Sequence, residues 1–385
     1  MTRSRTISGI LCLAAICAPI VIAPIRLKQS LNFVRDIENR QPNAFPEFTS
    51  PGNLIDKDWW ASISRGFEDR VPFREQMIAL DRAMHISGGN NQMSDKVALG
   101  VDDWLFLRHS LAKDQGSLDE TELAIAVIEE FYSNKTFKAE LFVLVSPDKT
   151  AIYPEKLGDE SRSEYETTLQ QRAVLHDWFA DSKLSNILDI WTPMLELKSQ
   201  SADPVYEVGG SHFNSDGAMV MARVMIDAID PTLWIDDDII NVWTRTQMPE
   251  LAKMGGFWDR TETSTRTQIK RPTVISTARW INHQSVVPNT KVPDGKGSDQ
   301  ISVRVTNTSD AARLIPGKAL IIHDSAIGNY LRPTLIEFFA DVEFMHFNDL
   351  TPESLRDALN AYDLVYFESV ERHFVKRAIH FFGTP

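Results

Sequence analysis

Four short apolar runs constrain this chain more than any other feature: LFVLV at 141–145, ALII at 319–322, VEFMH at 342–346 and DLVYFE at 363–368. LFVLV is short for a helix and too continuously apolar for a strand with one wet face, so it reads as a strand covered on both faces, and the other three read as further strands of the same pattern. Helical stretches fall between them, near Glu120–Phe137, Glu164–Phe179 and Leu331–Phe339 and over SLRDALNA, with a further strand near Ile187–Ile190. Strands and helices alternating in this way predict an α/β fold, a parallel sheet flanked by helices.

The alternation pauses from about 234 to 316. That stretch is rich in Thr and Ser and carries runs such as TVISTARWIN and ISVRVTNT, which predict a β-rich insertion, with the pieces on either side forming one sheet. Ahead of the sheet, VALGVDDWLFL reads as a hairpin with its turn at Val101–Asp103 and with Trp104 and Phe106 on one face.

Ligands of open α/β sheets bind at the carboxyl ends of the strands. ALII runs directly into HDSAIGNY, which puts Ser325 where a strand gives way to a helix, and N–H groups at a helix start stabilise an oxyanion. A serine hydroxyl is a weak nucleophile until an imidazole takes its proton. GGSHFNSDG, at 209–217, supplies that base in His212, one turn ahead of a helix for which Ser215 is the expected N-cap. His323 and His346, at strand ends, compete for the role.

Charge narrows the alternatives. A net charge of -13 argues against a nucleic-acid binder. From Thr244 to Arg304 the balance is locally positive, 10 Lys/Arg against 5 Asp/Glu, which makes the insertion a candidate platform for an anionic polymer, tested by reversing Lys270 and Arg271. The sequence holds no P-loop, dinucleotide fingerprint or metal-spaced histidine pair, so neither cofactor nor metal is expected.

After MTRSR the chain runs uncharged from Thr6 to Ile25, and about 20 apolar residues cross a bilayer. The small-residue sites at Ala18 and Ala23 are each followed by proline, which favours a retained anchor over a cleaved leader. Both cysteines, Cys12 and Cys17, lie in this run. The expected organisation is an N-terminal transmembrane helix over residues 1–25, a helical approach segment over 26–95 and the sheet domain over 96–385, with its insertion at about 234–316. Arg3 and Arg5 favour a cytoplasmic N-terminus, which places the remaining chain outside the cytoplasm.

Five pieces, in order, give the chain a family likeness: VALGVDDWLFL, VSPDKTAIYPEKL at 145–157, GGSHFNSDGA, MPELAKMGG at 248–256 and HDSAIGN. Together they resemble the bacterial AlgJ/AlgX family of alginate O-acetyltransferases, with its SGNH-hydrolase-like fold. The resemblance implies O-acetylation of a secreted polysaccharide through an acetyl-serine at Ser325, with His212 as general base and an integral-membrane acyltransferase as the supplier of acetyl groups. It also implies an aspartate two residues before the histidine, where this sequence has Gly210. Phe213 stands in place of the family's tryptophan, and Asp148 in place of an asparagine. A backbone carbonyl, Asp203, Glu207 or Asp216 are substitutes for the missing acid. Three outcomes stay open: a rescued triad, a bare dyad, or a degenerate subunit that binds polymer or scaffolds an export complex. An esterase using the same residues is a further alternative. If Gly210 marks a lost acid, Gly210→Asp is expected to raise the rate.

Overall fold

The computed structural model describes residues 42–71, 77, 96–111, 116–234, 240–247, 249–255, 261–271, 273–280, 302–310 and 312–383. The anchor expected over residues 1–25 lies outside these, and among the described residues no helix is long and apolar enough to cross a membrane. The chain divides into two compact units, Met1–Met93 with Ala252–Arg260, and Ser94–Leu251 with Thr261–Pro385. In the first, helix α1 (Lys57–Glu68) is capped by Asp56, whose carboxylate accepts from the Asp58 N–H at 2.8 Å.

The second unit opens with the hairpin of β1 (Val97–Leu99) and β2 (Leu105–Leu107). Asp102 and Asp103 both adopt left-handed backbone angles, φ 52° and 65°, a strained geometry that Asp tolerates better than most residues and that suits a tight hairpin turn. Trp104 and Phe106 stack at 6.1 Å and are buried.

Helix α2 (Leu118–Ser133) starts at a capping box made by Ser117 and Glu120, and leads into β3 (Glu140–Ser146). There follow α3 (Lys149–Ile152), α4 (Asp159–Glu166), α5 (Leu169–Asp181), β4 (Ile187–Leu188), α6 (Trp191–Gln200) and α7 (Ser215–Asp227). The N-cap of α7 is Asn214 rather than Ser215: its side-chain oxygen accepts from Asp216 N at 3.0 Å and Gly217 N at 3.1 Å.

Strands β5 (Ile240–Gln247) and β6 (Glu262–Ile269) form a separate antiparallel ribbon, joined through the short helix α8 (Glu250–Gly255). Strands β7 (Ile275–Trp280) and β8 (Val303–Thr308) return to the main sheet. Then come β9 (Ile315–His323), a helical segment from Ser325 that ends in α9 (Arg332–Leu335), β10 (Phe339–His346), α10 (Pro352–Ala361), β11 (Leu364–Val370) and α11 (Glu371–Phe382).

The sheet order is β4-β3-β11-β9-β10-β8-β7. Pairings from β4 through β10 are parallel, whereas β8 pairs antiparallel with both β10 and β7. The expected all-parallel sheet is therefore mixed. ISVRVTNT and TVISTARWIN alternate polar and apolar residues, and such strands suit an antiparallel edge with one wet face. Every residue of β11 is buried, in keeping with its place between β3 and β9.

Candidate active site

Strands β3, β11 and β9 lie side by side, so the segments leaving their carboxyl ends meet. Asp324, after β9, is pinned from three directions. Its N–H donates to Glu368 of β11 at 2.8 Å, and its carboxylate accepts from Val370 N at 2.8 Å and from Arg377 of α11. Glu368 is fully buried and accepts the Ser146 hydroxyl from β3 at 2.5 Å. These bonds tie the three strand ends together and fix the residue preceding Ser325.

Ser325 opens the helical segment, and the next turn, Ile327–Leu331, is π-helical. Such wide turns recur at functional sites, where they re-aim side chains. Here the turn carries Tyr330, whose ring lies 5.6 Å from that of His212 at an interplanar angle of 30°.

His212 arrives on a loop closed by the Tyr206–Phe213 bridge and by a bond from Asn214 N to Val205 O at 2.8 Å. Its Nε2 lies 2.9 Å from Ser325 Oγ. The histidine and serine singled out from the sequence thus meet at hydrogen-bond distance, although 113 positions separate them.

The carboxylate on the other ring nitrogen comes from elsewhere. Glu250 Oε2 lies 3.2 Å from His212 Nδ1 and accepts the Ser211 hydroxyl at 2.7 Å. A carboxylate at Nδ1 favours the tautomer with the proton there, which leaves Nε2 bare to accept the serine proton. Burial lowers the imidazole's pKa, but the charge and hydrogen bond of Glu250 outweigh it, so the net shift is upward. For Glu250, burial acts upward and the bonds from His212 and Ser211 prevail, bringing it down to about 2; half of its side chain still meets solvent.

None of the substitutes named from the sequence holds this position. Asp203 and Asp216 are exposed. Glu207 is buried and turns to Arg266 at 2.9 Å and to the Tyr330 hydroxyl at 3.2 Å. The competing histidines are engaged as well: His323 Nδ1 bonds to Asp324 O at 2.7 Å, with burial holding its pKa near 3, and His346 Nδ1 accepts from Asn348 N at 3.1 Å.

Glu207 also explains Gly210. A Cβ at position 210 would lie 2.6 Å from Glu207 Oε2 and 2.9 Å from Glu207 Cβ, so the space that an aspartate needs is taken. The expectation that Gly210→Asp raises the rate is therefore reversed. The substitution pushes Glu207 off Arg266 and Tyr330, disturbs the face that packs on His212, and sets two carboxylates together. Its turnover is expected to fall by about 10²-fold, a typical result of misplacing a base by about 1 Å; a rate at or above wild type would contradict the crowding.

The insertion braces the same loop. Glu262 of β6 accepts from Val208 N at 2.9 Å and Gly209 N at 3.1 Å, and Leu251 N donates to Gly209 O at 3.0 Å. Two of its cations serve the fold: Lys270 pairs with Glu337, and buried Arg271 donates to Arg313 O at 2.9 Å. Reversing them would therefore test packing before polymer binding. Among the described residues no group of three or more His, Cys, Asp or Glu side chains is arranged to hold a metal ion.

The family model of the SGNH hydrolase-like domain of the acetyltransferase AlgX matches residues 97–294, a stretch that holds His212 and Glu250 and stops before Ser325. Among solved structures, the chain is similar to Bacillus cereus PatB1, with a TM-score of 0.50 and 14% identity over 73% of this chain and 97% of that one. It is also similar to a DHHW family protein from Eubacterium siraeum, with a TM-score of 0.47 and 16% identity over 75% and 94% of the two chains. For the O-acetyltransferase domain of Pseudomonas putida AlgJ the TM-score is 0.41, with 16% identity over 73% and 92%. The PatB1 likeness concerns the fold alone. No curated protein matches the sequence.

Proposed function

Because the chain belongs to the family of SGNH hydrolase-like AlgX acetyltransferase domains, we propose that it moves an acetyl group from an ester donor to a hydroxyl of a secreted, alginate-like polysaccharide. The observation that carries this reading is the line from Ser325 Oγ through His212 to Glu250, at 2.9 Å and 3.2 Å.

In the first half-reaction the Ser325 hydroxyl passes its proton to His212 Nε2 as Oγ attacks the acetyl carbonyl carbon. N–H groups at the start of the helical segment stabilise the oxyanion. Collapse breaks the bond to the donor's alkoxide oxygen, which takes the proton from His212, and leaves acetyl-Ser325. In the second half a sugar hydroxyl gives its proton to His212 and attacks the same carbon. The serine departs with that proton, and the acetylated polymer is released. Glu250 stabilises the imidazolium formed in each half and keeps its proton on Nδ1.

The uncharged run from Thr6 to Ile25 supports tethering in the inner membrane with the catalytic unit in the periplasm, where an integral-membrane acyltransferase supplies the acetyl group. The degenerate-subunit reading has Gly210 as its best support, and Glu250 beside the imidazole weighs against it. The full chain in detergent, given a radiolabelled acetyl ester and polymannuronate, tests the reading. Label on the polymer is the expected result; label released only as acetate identifies an esterase, and label that stays on the donor contradicts catalysis.

A further inference from the structure

Lys149 is a buried cation, 4% exposed, that plays no part in the chemistry above. Its Nζ donates to the main-chain oxygens of Leu105 at 2.8 Å, Glu207 at 2.6 Å, Val208 at 2.7 Å and Gly210 at 3.0 Å. The rings of Trp104 and Phe106 face the same nitrogen at 4.7 and 5.2 Å. Three of the four acceptors belong to the loop that carries His212, and the fourth to β2, whose Leu105 N–H bonds to Val208 O at 3.0 Å.

We propose that Lys149 is the positioning residue for His212: its ammonium is the fixed centre on which the carbonyls of the 207–210 turn converge, and it thereby sets the approach of the imidazole to Ser325. Carbonyl oxygens that point at one centre repel one another unless a donor-rich cation occupies it. An ammonium has three N–H donors to share among the four, whereas a neutral amine has two and leaves buried acceptors unpaired. Burial draws the lysine's pKa down to about 7, and the charges of Glu262 and Glu207 act in the other direction. The clamp also compensates for Gly210, since a glycine two residues before the base gives the turn no side chain of its own with which to hold its shape.

This inference rests on Ser325 and His212 acting as nucleophile and base, so its test reads the nucleophile directly. The full chain, as wild type, Lys149→Met and Lys149→Gln, is treated with phenylmethanesulfonyl fluoride, and modification of Ser325 is followed by intact mass, beside kcat and KM for acetyl transfer. Glutamine keeps two N–H donors without the charge and stands in if methionine prevents folding. The expected result in a folded variant is sulfonylation and kcat both lowered by about 10²-fold with KM nearly unchanged. Lys149→Ala should recover at least tenfold in added methylammonium and not in sodium at equal ionic strength. Wild-type sulfonylation rates in a folded Met or Gln variant overturn the proposal. A wild type that is never modified at Ser325 overturns instead the assignment on which it rests.

Discussion

Alanine at Ser325 and alanine at His212 are each expected to lower acetyl transfer by about 10⁶-fold, with the double variant no slower than either single one, because residues that act as one unit fail together. Single-turnover transfer to polymer, measured on variants whose thermal melts match wild type, checks this expectation. Among the described residues His212 Nε2, at 2.9 Å, is the base within hydrogen-bond distance of Oγ, so removing the imidazole should disable the serine without touching it. Additive losses, or a folded Ser325→Ala variant that still forms a covalent acetyl-enzyme, would refute the assignment.

Glu250→Gln is expected to cost about 10³ to 10⁴ in kcat, the scale seen when the carboxylate behind a catalytic histidine is replaced by its amide. The size follows from the tautomer, since an amide nitrogen turned toward Nδ1 places the ring proton on Nε2, where the serine needs an acceptor. The pH profile supplies a second signature. As a general base His212 would work in its neutral form, and Glu250 raises its pKa. Wild-type activity is therefore lost as pH falls through that raised value, and in Glu250→Gln the acid limb moves to lower pH while the plateau drops. A variant with full activity, or with an unmoved acid limb, would remove Glu250 from the mechanism.

The two central positions of this site were legible in the sequence for different reasons. Ser325 follows an apolar strand directly, and the end of a parallel strand is where the fold exposes side chains to ligands. His212 was marked by a glycine-flanked loop before a helix and by the family likeness of GGSHFNSDGA. Glu250 lies in MPELAKMGG, and nothing in that stretch marks its carboxylate as the partner of a histidine. Its role depends on how a ribbon folds back over the loop, which brings Ser211 and Glu250 together across 39 positions. Spacing along the chain carries no record of such a contact. Lys149 was hidden likewise, because its partners are main-chain carbonyls and carry no residue identity. In the fold, the covered strands followed from their continuous apolar runs, while the mixed direction of the sheet did not. β7 and β8 join its edge after a long interruption, and alternating patterns fit an edge strand and a separate ribbon equally well.

The place of β11 also bears on how the molecule forms. This strand follows all the other described strands in the sequence, yet it sits in the middle of the sheet, pairing with β3 from far upstream and with β9. Until it is added, β3 and β9 present open edges toward each other, and Asp324 lacks both Val370 and Arg377. High contact order of this kind slows folding and prolongs the life of exposed strand edges. The seat of Ser325 is thus among the last features to be assembled, and an incompletely synthesised or partly folded chain carries that serine without the bonds that fix the residue before it. Reactivity toward acyl esters should appear late and abruptly during refolding, in step with the burial of the final strand.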